Sequence, residues 1–130
     1  MKKYRTALLF GTFNPLHSGH IRLFKRATKI ADKVYIVMDD DSLIIKSKRR
    51  NPFGLRKERQ EDIEMIKDVI FAGFESIKED KKYWVNKIKP DVLIKGDDWK
   101  GNNWSGEKLG IPVKYLKHTN NIHSKWLGNI

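Results

Sequence analysis

A short apolar run, Thr6-Ala7-Leu8-Leu9-Phe10, stops at Gly11, and a new periodicity begins nine residues further on. The run has the length and the boundary of a buried strand. His20, Leu23, Phe24, Ala27, Ile30 and Ala31 then fall at offsets 0, 3, 4, 7, 10 and 11, one face of a helix, with Ser18 in the N-cap position. Further strands are expected at Lys33–Met38, near Phe71–Ile77, at Asp91–Lys95 before Gly96, and at Pro112–Leu116. Helical patterns fall between them at about Leu55–Asp68, with Arg59, Ile63, Ile66 and Ile70 on one side, and at Lys81–Lys89 before Pro90; Ile122–Leu127 reads as a short final helix. Strands alternating with helices predict an α/β, Rossmann-like parallel sheet of about five strands with helices on both faces. Such sheets bind ligands beyond the carboxyl ends of their strands, where strand order reverses. That directs attention to three polar junctions: Gly11–His20, Gly96–Trp104 and His118–Ser124.

The 130 residues correspond to one expected domain, 1–130, long enough for a single core. No apolar run approaches the ~18 residues of a membrane helix, and Met1-Lys2-Lys3-Tyr4-Arg5 lacks the apolar core of a signal peptide, so a cytoplasmic location is expected. With no cysteine, a disulfide framework, an iron–sulfur cluster and a cysteine-ligated zinc are excluded. The net charge of +11 favours anionic partners, either nucleic acid or small phosphorylated molecules. Seven cations (Lys46, Lys48, Arg49, Arg50, Arg56, Lys57 and Arg59) stand against Glu58 alone, which marks a candidate phosphate-binding loop or a solvated basic face.

The first junction reads Gly11-Thr12-Phe13-Asn14-Pro15-Leu16-His17-Ser18-Gly19-His20. Gly11 and Gly19 let backbone approach a ligand closely, and the helix N-terminus favours an anion. His17 and His20, three apart, would share one side of the first turn and donate to phosphate oxygens as charge builds. Two other readings exist for such histidines. His20 could be a packed core residue, since it begins the apolar face. The pair could bind a metal, but zinc needs three or four ligands and no third is adjacent. The strand–Gly–Thr–His–Gly–His–helix context favours the phosphate site.

On these residues the chain resembles the nucleotidyltransferase superfamily that includes the cytidylyltransferases: Gly11-Thr12-Phe13 followed by His17-Ser18-Gly19-His20 looks like its His-x-Gly-His signature. Gly96-Asp97-Asp98-Trp99 matches the Gly-Asp-Asp-Trp of glycerol-3-phosphate cytidylyltransferases. Lys46-x-Lys48 resembles the paired lysines of that group, and Leu55–Arg59 resembles a helix start in it. The resemblance runs from Ala7 to about Leu127. At the third junction, His118-Thr119-Asn120-Asn121-Ile122-His123-Ser124 keeps Thr119, Ile122 and Ser124 of the group's Arg-Thr-x-Gly-Ile-Ser pattern. His118 stands for its arginine, exchanging a permanent charged fork for a titratable ring. Asn14-Pro15 is closer to the nicotinamide-mononucleotide and phosphopantetheine adenylyltransferases.

The resemblance implies transfer of CMP from CTP to a small alcohol phosphate, foremost glycerol 3-phosphate, by a homodimer. A nucleoside triphosphate, with CTP favoured, and a phosphate monoester are the expected partners, with no nucleic acid and no membrane. Catalysis would fall to His17, His20, Lys48 and Ser124. The nucleotide would meet Gly11, Thr12, Phe13, Gly19, Gly96, Asp98, Trp99, His118, Thr119 and Ile122 as well. Lys46, Lys81 and Arg59 are candidates for the acceptor. Mg²⁺ is expected to arrive on the phosphates, with few or no protein ligands. Asp97 and Asp98 could accept from an exocyclic base amine. Trp99 divides between lining the site and plain packing, while Trp84, Trp104 and Trp126 read as core or interface. An adenylyltransferase acting on a sugar phosphate or a mononucleotide is the alternative within the superfamily. A nucleic-acid binding module is the remote one, without the exposed stacking aromatics or motif of an RNA binder.

Overall fold

The structure, a computed structural model, describes residues 2–117. Five parallel strands lie in the order β3-β2-β1-β4-β5. They are β1 (Tyr4–Gly11), β2 (Ala31–Asp39), β3 (Ile70–Glu75), β4 (Val92–Gly96) and β5 (Val113–Leu116). The helices are α1 (Ser18–Ile30), α2 (Asp41–Lys48), α3 (Arg56–Glu64) and α4 (Lys81–Ile88), and two 3-10 turns, Asp97–Trp99 and Ser105–Lys108, follow β4. The chain builds outward from β1 through β2 to β3, then returns to place β4 on the other side of β1. Strand order therefore reverses between β1 and β4, the position where such sheets open a crevice.

Successive side chains of a strand point to opposite faces, and both faces of β1 are covered, so its run is continuously apolar. Ala7 and Leu9 pack with Leu23, Phe24 and Ala27 of α1 and with Ile63 of α3. Leu8 and Phe10 pack on the other face with Leu93, Trp84 of α4 and Trp104. Helices on both faces of a five-stranded parallel sheet agree with the architecture expected from the sequence. Among the described residues no helix is long and apolar enough to cross a membrane.

Several elements differ from the sequence expectation, and Ala31 begins β2 instead of closing the α1 face. The N-cap of α1 is His17, not Ser18, because the His17 ring itself accepts the Gly19 amide. Asp41–Lys48, expected as loop, forms α2 behind Asp40, whose carboxylate accepts the Leu43 amide at 2.9 Å. Helix α3 ends at Glu64 rather than near Asp68. Asp68 adopts φ 68, and Ile70, though helically spaced from Ile63, begins β3. The expected helix at Ile122–Leu127 lies outside the described residues.

Candidate active site

The crevice between β1 and β4 holds a cavity of about 340 Å³. The helix α1 meets it end on. His17 Nδ1 accepts the Gly19 amide at 3.0 Å, and His20 Nδ1 accepts the His17 amide at 3.3 Å. This reciprocal capping box fixes both rings: they stack with centroids 3.7 Å apart at 21°. Since Nδ1 accepts in each ring, the ring proton resides on Nε2. The three-residue spacing of the histidines thus satisfies two amides at the helix start and makes Nε2 the donor nitrogen of each ring. His20 lines the cavity, His17 stacks behind it, and Gly19 is buried in the first turn.

Phe13 holds this arrangement from the side. Its ring meets His20 edge-on at 5.2 Å and Phe24 at 5.0 Å, with the backbone at φ 48. That ring lies directly over Gly11, where a Cβ would come within 2.5 Å of it. The room Gly11 leaves is therefore filled by Phe13, a side chain of the same loop. The next residue along, Thr12, donates its hydroxyl to Asp39 Oδ2 at 2.8 Å and ties the ends of β1 and β2 together at the cavity wall.

The α4 side of the crevice is cationic. Lys81, the first residue of α4, donates to both oxygens of Glu75 at 2.9 Å. Burial pushes the Glu75 carboxyl above its ordinary value, with Lys81 pulling the other way. Lys95 shares the wall: its ammonium donates to the Phe10 carbonyl at 3.1 Å. Burial, reinforced by the charge of Lys81, lowers the Lys95 pKa to about 8, against the opposing pull of Asp39, Asp98 and Glu75. Gly96, Asp98 and Trp99 follow Lys95 and line the cavity. Trp104 is 6% exposed and lines it too, its indole N–H donating to the Tyr115 hydroxyl at 3.0 Å. Trp99, 40% exposed, takes its place in the lining.

The basic segment does not stay together as a loop. Lys46 and Lys48 occupy the last turn of α2, and only Lys48 lines the cavity. Arg50 and Phe53 clasp Asn14: the Asn14 amide donates to the Phe53 carbonyl at 2.9 Å and its oxygen accepts the Phe53 amide at 2.8 Å. Arg50 also donates to the Asn14 side-chain and backbone oxygens. Arg56 lies over the Phe74 ring at 4.2 Å. Arg59 is 2% exposed and outside the cavity lining. It donates to the Asp39 carbonyl at 3.0 Å and pairs with Asp41, so the structure places it in the core as a brace under the ends of β2 and α2. His118, Thr119, Ile122 and Ser124 lie outside the described residues. The structure thus gathers Gly11, Thr12, Phe13, His20, Lys48, Lys81, Gly96, Asp98 and Trp99 around one cavity. It adds Asp39, Lys95 and Trp104, which sequence reasoning did not assign to the site. For Lys95 a signal existed: strand alternation puts it on the same face as Leu93.

A doubly wound sheet whose first strand opens through His-Ser-Gly-His onto a helix N-terminus, beside a cation-walled crevice, defines a nucleotidyltransferase. The chain belongs to the cytidylyltransferase-like family, whose pattern it matches over residues 8–124. It is 32% identical over 122 residues to the glycerol-3-phosphate cytidylyltransferase of Bacillus subtilis (strain 168), covering 94% of this chain and 91% of that protein. It is likewise 32% identical over 120 residues to the enzyme of the same name from Staphylococcus aureus (strain NCTC 8325 / PS 47), covering 91% and 88%. Among solved structures, the lipopolysaccharide core biosynthesis protein from Thermoplasma volcanium GSS1 superposes with a TM-score of 0.69 at 27% identity, over 91% of this chain and 98% of that one. The pantoate-beta-alanine ligase from Francisella tularensis shares the fold, with a TM-score of 0.55 at 14% identity over 94% of this chain and 62% of its own.

Proposed function

We propose that this enzyme transfers CMP from CTP to glycerol 3-phosphate, giving CDP-glycerol and pyrophosphate. The observation that carries the reading is the cavity itself. It is bounded on the α1 side by His20, backed by His17, and on the α4 side by Lys81 and Lys95. Two phosphorylated substrates therefore have separate cationic or donor-rich seats that meet at Gly11 and Thr12. The triphosphate lies over the α1 N-terminus, where backbone amides, the helix dipole and the His20 Nε2–H favour its charge. An oxygen of the acceptor phosphate attacks the α-phosphorus in line. The bond from that phosphorus to the bridging oxygen breaks, and pyrophosphate departs with the electron pair. Such transfers depend on positioning and charge neutralisation, which is what fixed rings and lysines supply.

Lys48, which lines the cavity, would follow the β- and γ-phosphates, and Thr119, Ile122 and Ser124 would complete that end. Asp98 is the candidate acceptor for the cytosine amine, which would prefer CTP. Mg²⁺ would enter with the triphosphate, held by phosphate oxygens and water, and would neutralise charge on the leaving pyrophosphate. Among the described residues no group of three or more His, Asp or Glu is gathered as a metal cage. A homodimer acting in the cytoplasm completes the reading.

A pyrophosphate-release screen tests it, using the four nucleoside triphosphates against a panel of phosphate monoesters. CTP with glycerol 3-phosphate is expected to give the largest Mg²⁺-dependent signal. A clearly larger signal from ATP with a sugar phosphate would overturn the substrate pair while leaving nucleotidyl transfer in place.

A further inference from the structure

On the face of the sheet away from α1, two lysines share a cavity wall without sharing a counter-ion. Lys81 is held by Glu75. Lys95 forms no ion pair with any described residue. One of its donors goes to the Phe10 carbonyl, and its ammonium stands 4.8 Å from the Trp99 ring centroid and 5.0 Å from that of Trp104. Phe10 joins the two lysines, for its ring lies 5.3 Å from Lys81 Nζ. The carboxylates facing Lys95 come from three elements: Asp39 at the end of β2, Glu75 at the end of β3 and Asp98 in the turn after β4. Asp39 already accepts from Thr12 and Glu75 from Lys81. Among the described residues, the wall therefore pairs one cation braced in an ion pair with one whose direct contacts are a carbonyl and two aromatic faces.

We propose that Lys95 is the second cation of the acceptor site: the phosphate of the monoester binds between Lys95 and Lys81. This rests on the nucleotidyl-transfer reading of the crevice. The faces of the sheet assign the two substrates. Lys95 alternates with Ile94, and so shares the side of Leu93, Phe10 and Trp104, whereas His20 and the α1 N-terminus stand on the other side. A monoester on the α4 side approaches the α-phosphorus from opposite the pyrophosphate seated over α1, as an in-line displacement requires.

Phosphate bound at this position is linked to the proton of Lys95, and the direction follows from the surroundings. Burial and the neighbouring Lys81 disfavour the Lys95 ammonium in the unliganded protein. A phosphate dianion favours it, so binding raises its affinity for the proton. Below about pH 8 the lysine is already charged and no proton is needed. Above that value binding must take one up, and affinity falls by up to about tenfold per pH unit. A phosphate monoester, with its second ionisation near ~6, stays dianionic throughout this range.

Trp99 and Trp104 beside Lys95 make the event readable by fluorescence without turnover. Inorganic phosphate and glycerol 3-phosphate are titrated into the wild type, Lys95→Met and Lys95→Arg at about pH 7.5 and about pH 9.5, with CTP as control and each variant's fold checked by thermal melting. The wild type is expected to lose about tenfold or more in phosphate affinity between the two conditions. Lys95→Met is expected to bind phosphate weakly at both, and Lys95→Arg to bind at both with a flat profile, since guanidinium keeps its charge. Wild-type affinity and pH dependence in Lys95→Met would overturn the inference, as would an equal loss of CTP and phosphate binding. Lys95-dependent phosphate binding without any transfer from CTP would uphold it and remove only the CMP-transfer reading.

Discussion

Replacing His20 by alanine lowers kcat by about 10²–10³, the scale of losing one preorganised donor to a developing charge. The ring lines the cavity with its proton on Nε2, held there by the His17 amide at 3.3 Å and by stacking on His17. An interaction strengthened mainly in the transition state lowers kcat and kcat/KM together. The fold is expected to survive, because a capping acceptor, the stack on His17 and the edge contact with Phe13 are small contributions, together about 1–2 kcal/mol. Steady-state kinetics normalised to folded protein check this. Unfolding of His20→Ala with unchanged turnover per folded molecule would make His20 a structural residue.

Arg59→Ala is expected to act in the opposite way, on stability rather than on the substrate. The guanidinium is fully buried, donates to the Asp39 carbonyl at 3.0 Å, pairs with Asp41 and lies 5.3 Å from the Phe74 ring centroid. Among the described residues its Nε finds no partner, and Asp41 is half exposed, so the ion pair itself adds little net stability. Lost packing together with an orphaned buried carbonyl amounts to about 2–4 kcal/mol. For a chain of this size that lowers Tm by about 10 °C. Thermal melting and acceptor KM, measured together below the transition, decide the matter. A melt within error of wild type with a KM raised roughly tenfold or more would return Arg59 to the acceptor site.

These two residues show how far the sequence could be read. The His-x-Gly-His turn was legible because strand, glycine and helix face each leave a periodic trace around it, and the capping box demands the three-residue spacing. The strands were legible because both faces of the sheet are covered. Helix α2 was not, since Ile44 is its one buried residue and no apolar face recurs. The Asp40 cap was the available signal. The basic run could not show that Arg50 clasps Asn14 or that Arg59 is buried, because charge counts carry no direction. Yet Arg59 stands four residues before Ile63 on the apolar side of α3, the one trace of its burial. Lys95 left one comparable trace, its alternation with Leu93, but a lysine at a strand end reads as solvated until the tryptophans beside it are placed.

Displacement of pyrophosphate from the α-phosphorus by a monoester oxygen leaves an isotopic trace in the product. Glycerol 3-phosphate carrying heavy oxygen on its non-bridging phosphate positions is turned over with unlabelled CTP and Mg²⁺, and the products are read by phosphorus NMR. Label is expected in the bridge between the two phosphorus atoms of CDP-glycerol, and none in the released pyrophosphate. Label in inorganic phosphate or pyrophosphate, or products lacking a labelled bridge, would contradict it.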